Sequence, residues 1–221
     1  MPFVQSLNIM ENLHGLITGF HNFRREMLAE DAEFFASLAK SQNPHTLVIA
    51  CCDSRVDPGI ILGCRPGELF VVRNVAAIVP HQAPVGQPDA VMAAIEYGVK
   101  HLEVNHIVVM GHSNCGGIHG LLHPEAVAHE DYIADWVKQA GPAVADLNDA
   151  DSEHDRHRLA EEGAVLLSID NLLSYDWIRE RTEKGTLALH AVYYDIENHS
   201  LDLWNTEKED FLPAPMLHPV E

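Results

Sequence analysis

The spacing of apolar residues along this chain predicts two kinds of element. From residue 6 to residue 40, Ile9, Leu13, Leu16, Ile17, Phe20, Phe23, Met27, Phe34, Phe35 and Leu38 recur at steps of three and four, the spacing of one helix face. This stretch is predicted to be a helical N-terminal arm that offers packing surface and no chemistry. Four short runs rich in β-branched and aromatic residues follow, at residues 46–50 (TLVIA), 69–72 (LFVV), 106–110 (HIVVM) and 187–194 (LALHAVYY), and read as buried strands. Between them lie helical patterns, notably residues 89–101, where Val91, Ala94, Ile95, Gly98 and Val99 form a stripe. Strands alternating with helices predict an α/β fold, a mostly parallel central sheet flanked by helices. Residues 200–205 (SLDLWN), reached through the turn-prone Glu197-Asn198-His199, are expected to add an antiparallel edge strand.

Length and composition narrow the class. A chain of 221 residues with 47% hydrophobic and 21% charged positions suits one globular domain, read here as an arm over 1–40 and an α/β core over 42–205. The 33 acidic residues against 14 Lys and Arg give a net charge of -19, which disfavours nucleic acid and anionic lipid as partners. Part of the excess falls at residues 146–162, expected to be a solvated surface connection. No run of about 18 apolar residues is present to span a bilayer. The opening MPFVQSLNIMENLHG lacks a basic segment followed by an apolar one, so the expected location is cytoplasmic. Four cysteines, Cys51, Cys52, Cys64 and Cys115, are too few for a disulfide framework and favour metal or catalytic roles.

Three of the residues able to bind a soft divalent metal come just after two predicted strands: Cys51 follows TLVIA, and His112 and Cys115 follow HIVVMG. In parallel α/β sheets, sites collect beyond the carboxyl ends of strands, so both loops can open into one crevice. Two thiolates and an imidazole suit zinc. An isolated HxxC is a weak signal, however, and buried inert Cys and His would look the same.

The surrounding strings, Cys51-Cys52-Asp53-Ser54-Arg55 and Gly111-His112-Ser113-Asn114-Cys115-Gly116-Gly117, are far more specific. They resemble the CxDSR and GHxxCGG signatures of β-class carbonic anhydrases, closely from about Gln42 to Ile118 and more loosely to about Trp204. The resemblance implies one zinc per chain on Cys51, His112 and Cys115, with Asp53 as a possible fourth ligand and Arg55 as its partner. It implies reversible hydration of carbon dioxide to bicarbonate by attack of a zinc-bound hydroxide. The guanidinium fork of Arg55 can grip Asp53 in a bidentate pair and hold it off the metal, leaving the carboxylate to orient the reacting oxygen. By the same resemblance Gln42 hydrogen-bonds substrate, and Phe70, Val75 and Tyr97 line an apolar pocket. The Gly116 amide, at an expected helix start, helps to stabilise bicarbonate. Two thiolates cancel the charge of zinc, so activity is expected to rise towards alkaline pH.

Departures and rivals qualify this reading. One branch of the family carries a Trp three residues before the first cysteine ligand, in a bicarbonate regulatory site. That position is Val48 here, although Arg73 and Tyr194 occupy the matching partner positions, so an unregulated, plant-like site is expected. Cys52 and Cys64 are expected to be small buried side chains, and His45 and His81 are conceivable proton shuttles. The family's habit of building sites near dimer interfaces implies a homodimer or homotetramer. The rival functions are hydrolysis of carbonyl sulfide or carbon disulfide, and a non-catalytic zinc-binding or redox-sensing role with Asp53 closing a four-ligand site. The presence of Gln42 and Arg55 speaks against the last.

Overall fold

The structure is a computed structural model that describes residues 7–82, 89–145, 147 and 152–215. The chain divides into two compact units, Met1–Gln42 and Asn43–Glu221. Within the first, the helical pattern resolves into α1 (Leu7–Glu30) and α2 (Ala32–Leu38). They are separated at Asp31, whose carboxylate accepts the Phe34 N–H at 3.1 Å and caps α2. Phe23 and Phe35 then meet edge to face, with ring centroids 5.9 Å apart.

The second unit runs β1 (Thr46–Cys51), α3 (Pro58–Ile61), β2 (Leu69–Asn74), α4 (Ala90–Glu96), β3 (His106–His112), α5 (Gly116–Leu122) and α6 (Ile133–Val137). It continues through α7 (Glu153–Leu173), α8 (Asp176–Glu183), β4 (Ala188–Asp195), β5 (Ser200–Asn205) and β6 (Asp210–Pro213). The strand order is β2-β1-β3-β4-β5-β6. The first four strands pair in parallel, and β5 and β6 add on antiparallel. The mostly parallel sheet and its antiparallel extension are as the sequence predicts. The short β6 went unread, because DFLP is brief and ends in a proline.

Alternation along β1 sorts its side chains onto two faces. Leu47 and Ile49 join Ile107 and Val109 of β3, Val165 and Leu172 of α7, and Ile178 of α8 in the larger core. Val48 and Ala50 meet Met110 and Val192 on the opposite face. Every residue of β1 from Leu47 onward is buried, which explains why its sequence is a continuous apolar run. The acidic stretch departs from expectation. From Glu153 it is no surface connection but the start of a 21-residue helix capped by Ser152, and Glu161 on that helix is only 3% exposed. Asp146, Asp149 and Asp151 lie outside the described residues.

The end of β4 ties down the loop that follows β3. Asp195 accepts the backbone N–H groups of Glu197 at 2.9 Å and Asn198 at 3.1 Å, the Asn198 amide at 2.8 Å and the Ser113 hydroxyl at 3.4 Å. Ser113 in turn accepts the Ile196 N–H at 2.8 Å. Burial pushes the Asp195 carboxyl up, but these donors outweigh it and hold the group below its ordinary value. A depressed folded-state pKa stabilises the fold above the unfolded value of about 3.9, and that contribution is lost as pH falls through the folded value. Asp195→Asn is therefore expected to cost on the order of 1 kcal/mol near neutrality, with the difference from the parent shrinking below about pH 4. Urea unfolding across a pH series measures this, and a difference independent of pH would contradict it.

Candidate metal centre

Cys51 and His112 are the last residues of β1 and β3, and Cys115 stands just before α5. All three are buried, and their donor atoms lie within 4.8 Å of one another. The two sulfurs are 3.9 Å apart. A tetrahedral zinc about 2.3 Å from each sulfur would set them roughly 3.8 Å apart, so the spacing fits the ion. The imidazole fits as well. His112 Nδ1 lies 2.9 Å from the Ser113 carbonyl and donates to it, which leaves the lone pair on Nε2. That nitrogen is buried and has no hydrogen-bond partner among the described residues, an arrangement whose desolvation a metal ion would offset.

The contact with Cys115 draws the Cys51 thiol well below its usual value, against the opposing effect of burial. The same contact with Cys51, then burial, pushes Cys115 up. Burial alone would depress His112, but the Cys51 thiolate and the Ser113 carbonyl outweigh it and raise its pKa. Amides prepare each sulfur for negative charge: those of Asp53 and Ala76 face Cys51, and those of Gly117 and Ile118 at the start of α5 face Cys115.

Tight backbone turns deliver these amides. Asn114, between the two ligands of the second loop, has φ 57°, which Asn tolerates better than most residues. Ala76 and Ala77 sit at φ 64° and 54°, a conformation costing roughly 1–2 kcal/mol each. Asn74 holds this turn by donating to the Ile78 carbonyl at 3.0 Å and accepting the Ile78 N–H at 2.8 Å. Gly117 is required by close approach, since a Cβ there would lie 2.6 Å from Val75 Cγ1.

Beside the cluster, Arg55 grips Asp53. Its Nε donates to Oδ1 at 3.0 Å and Nη2 to Oδ2 at 2.7 Å, while the Arg55 backbone N–H reaches Oδ1 at 2.9 Å. Nη2 also donates to the Asn114 carbonyl at 3.0 Å, joining the two ligand loops. The guanidinium contact holds the Asp53 carboxyl far below the usual aspartate range. Arg73 braces the first loop from behind through the carbonyls of Cys51 (2.9 Å) and Asp53 (2.7 Å) and the carboxylate of Asp57 (3.1 Å).

The family model described as Carbonic anhydrase matches residues 46–201. The chain belongs to the β-carbonic anhydrase family. Beta carbonic anhydrase 3 of Arabidopsis thaliana is 38% identical over 94% of this chain and 81% of its own length. Among solved structures, the β-carbonic anhydrase CcaA superposes with a TM-score of 0.86 at 32% identity over 93% of both chains. A tetrameric β-carbonic anhydrase of Sordaria macrospora does so with a TM-score of 0.78 at 30% identity, over 87% of this chain and 96% of its own.

Within this β-carbonic anhydrase the other expected site residues fall in different places. Val75 packs in the same buried cluster as Cys51 and Cys115, and Gly116 opens α5. Phe70 does not reach the donors. It pairs with Leu47, whereas Cys51 pairs with Asn74, which puts it four residues or about 13 Å back along the sheet. Tyr97, 45% exposed, stands against Phe70 with ring centroids 5.9 Å apart. Gln42 closes the first unit, while all three donors belong to the second. His45 and His81 are exposed, and Val48 is fully buried. Cys52 is exposed rather than buried, because the turn after β1 carries it out of the sheet, and Cys64 is half-buried. Sequence reasoning noted Arg73 only at a regulatory partner position and missed its bracing of the loop, and it missed Glu161, which accepts the Cys115 N–H at 2.7 Å.

Cys115→Ala is expected to reduce bound zinc to roughly a tenth of the parent's or less, as loss of a ligand sulfur requires. Elemental analysis after desalting measures this, and full metal content would contradict the ligand assignment.

Proposed function

We propose that this β-carbonic anhydrase interconverts carbon dioxide and bicarbonate at one zinc ion held by Cys51 Sγ, His112 Nε2 and Cys115 Sγ. The observation that carries the reading is the Asp53–Arg55 pair beside the three-donor cluster. A bound zinc ion supplies Lewis acidity that makes water a nucleophile near neutral pH. The remaining steps belong to the chain. Arg55 occupies two directions on Asp53 Oδ1, through its backbone N–H and Nε, and one on Oδ2, leaving the other lone pair of Oδ2 to accept a hydrogen bond from the reacting water and orient it. Because Asp53 is tied to the guanidinium, it is not free to serve as a permanent fourth ligand, which argues against a closed structural site. The Gly116 N–H at the start of α5 suits the negative charge that develops as bicarbonate forms.

Val75 supplies the apolar contact expected for carbon dioxide within one chain. Phe70 and Tyr97 are proposed to act from a second copy in a homo-oligomer. This is supported by the exposure of Tyr97, by the position of β2 at the sheet edge with Val71 40% exposed, and by the tetrameric Sordaria relative. The fork of Arg73 is committed to Cys51, Asp53 and Asp57, which supports a site without bicarbonate regulation through that residue.

Stopped-flow hydration of carbon dioxide across pH, with zinc content measured on the same sample, tests the reading. Turnover on the order of the fast zinc enzymes, with about one zinc per chain and a rate that climbs towards alkaline pH, is expected. A profile already flat below neutrality would contradict the role given to the two thiolates. Full zinc with no hydration, but with carbonyl sulfide consumed, would replace the substrate. Arg55→Ala is expected to lower kcat at least roughly tenfold while zinc is retained, because Asp53 loses its guanidinium anchor. Unchanged turnover would remove Arg55 from the mechanism.

A further inference from the structure

α7 crosses behind the ligand loop and presents one acid to it. Glu161 has a side chain only 2% exposed, and it lines the same small cavity as Cys51, His112 and Cys115. Its Oε1 accepts the backbone N–H of Cys115 at 2.7 Å, and the same oxygen lies 2.8 Å from His157 Nδ1. Its Oε2 accepts the Tyr193 hydroxyl at 2.7 Å. Burial and the adjacent carboxylate push the Tyr193 phenol far above its usual range, so it stays protonated and donates. The carboxyl group thus accepts from an amide N–H and a phenol O–H, with the His157 ring beside it.

Two features separate this residue from ordinary packing. Cys115 has its sulfur directed at the amides of Gly117 and Ile118, while its own N–H points the other way into Glu161, so the residue is held from both ends. A buried carboxylate beside two sulfurs that must be thiolates to bind metal is also electrostatically unfavourable unless a cation shares the cavity. Two inward donors and a nearby metal ion meet that need together.

We propose that Glu161 is a positioning residue of the metal centre, fixing the Cys115 backbone so that its sulfur is presented to zinc and adding a buried negative charge that helps retain the ion. The inference rests on the zinc reading above and goes beyond its three ligands. Glu161 acts through Cys115 and touches neither substrate nor metal, so its effect is on how firmly the ion is held and on the electronic character of the sulfur ligand.

The test uses the full-length holoenzyme, Glu161→Gln and Tyr193→Phe. Two quantities are read: the rate of zinc transfer to a chromophoric chelator, and the absorption of the cobalt-substituted protein in its sulfur-to-metal charge-transfer and ligand-field bands. Far-UV circular dichroism reports folding. Glu161→Gln keeps the shape and an acceptor for Cys115 while removing the charge. It is expected to release zinc about tenfold faster or more and to shift the cobalt bands. Tyr193→Phe keeps the carboxylate but removes one clamp, and is expected to speed release by a few-fold in the same direction. A Gln variant that folds, releases zinc within twofold of the parent and gives superimposable cobalt bands would overturn the proposal. If the Gln variant does not fold, Tyr193→Phe decides, and parental behaviour in both readouts overturns it. A parent chain that holds no zinc would overturn the metal reading itself, an outcome separate from a zinc-loaded parent matched by its Gln variant.

Discussion

The parallel pairing of β1 with β3 is the constraint on which the metal centre depends. Thr46 to Ala50 lie in register with His106 to Met110, so the two strands end side by side at Cys51 and at Gly111-His112. Ligands 61 residues apart in the chain are thereby fixed within 4.8 Å of one another before any metal is considered. The close packing needed is visible at Gly111, where a Cβ would lie 2.4 Å from Val165 on α7. The absence of a side chain at that position lets α7 approach, and the approach of α7 brings Glu161 to the ligand loop.

Around this frame, charge is managed by backbone and guanidinium groups rather than by the overall charge of the chain. Two sulfurs and two carboxylates gather around the ligand loops, in a molecule that already carries a formal -19. Each is answered locally: Asp53 by Arg55, the Cys115 sulfur by amides at the start of α5, Cys51 by the amides of Asp53 and Ala76, and Glu161 by the Cys115 N–H and the Tyr193 hydroxyl. Arg73 and Asn74, at the end of β2, hold the turns that aim these amides. The strained Ala76-Ala77 turn belongs to the same arrangement, its cost met by the packing that surrounds it.

Much of this was legible in the residues. The apolar runs became strands because a parallel strand covered on both faces must be apolar throughout, and the stripe at residues 89–101 became α4 and the turn that continues it. Cys51, His112 and Cys115 could be picked out because they follow two strand ends within strings that resemble the CxDSR and GHxxCGG signatures, the residue types alone being a weak signal. Glu161 was hidden among acidic neighbours. Its signal was present in the helical spacing of Ala160, Glu161, Ala164, Val165, Ser168 and Leu172, all buried, which places an acid on an apolar stripe. Reading residues 146–162 by charge alone concealed that spacing.

The sequence by itself determined the alternation of elements, the strand-end location of the three donors and the Asp-Ser-Arg string that puts a guanidinium two residues from a carboxylate. These are local facts, set by side-chain chemistry and by periods of two and three to four residues. Tertiary structure decided which distant groups meet: the 3.9 Å approach of Cys51 to Cys115, the link from Arg55 to Asn114, the separation of Phe70 and Tyr97 from the donors, and the reach of Glu161 to Cys115. Sequence spacing carries no record of such contacts, because strand order and helix packing, not distance along the chain, set which side chains share a cavity.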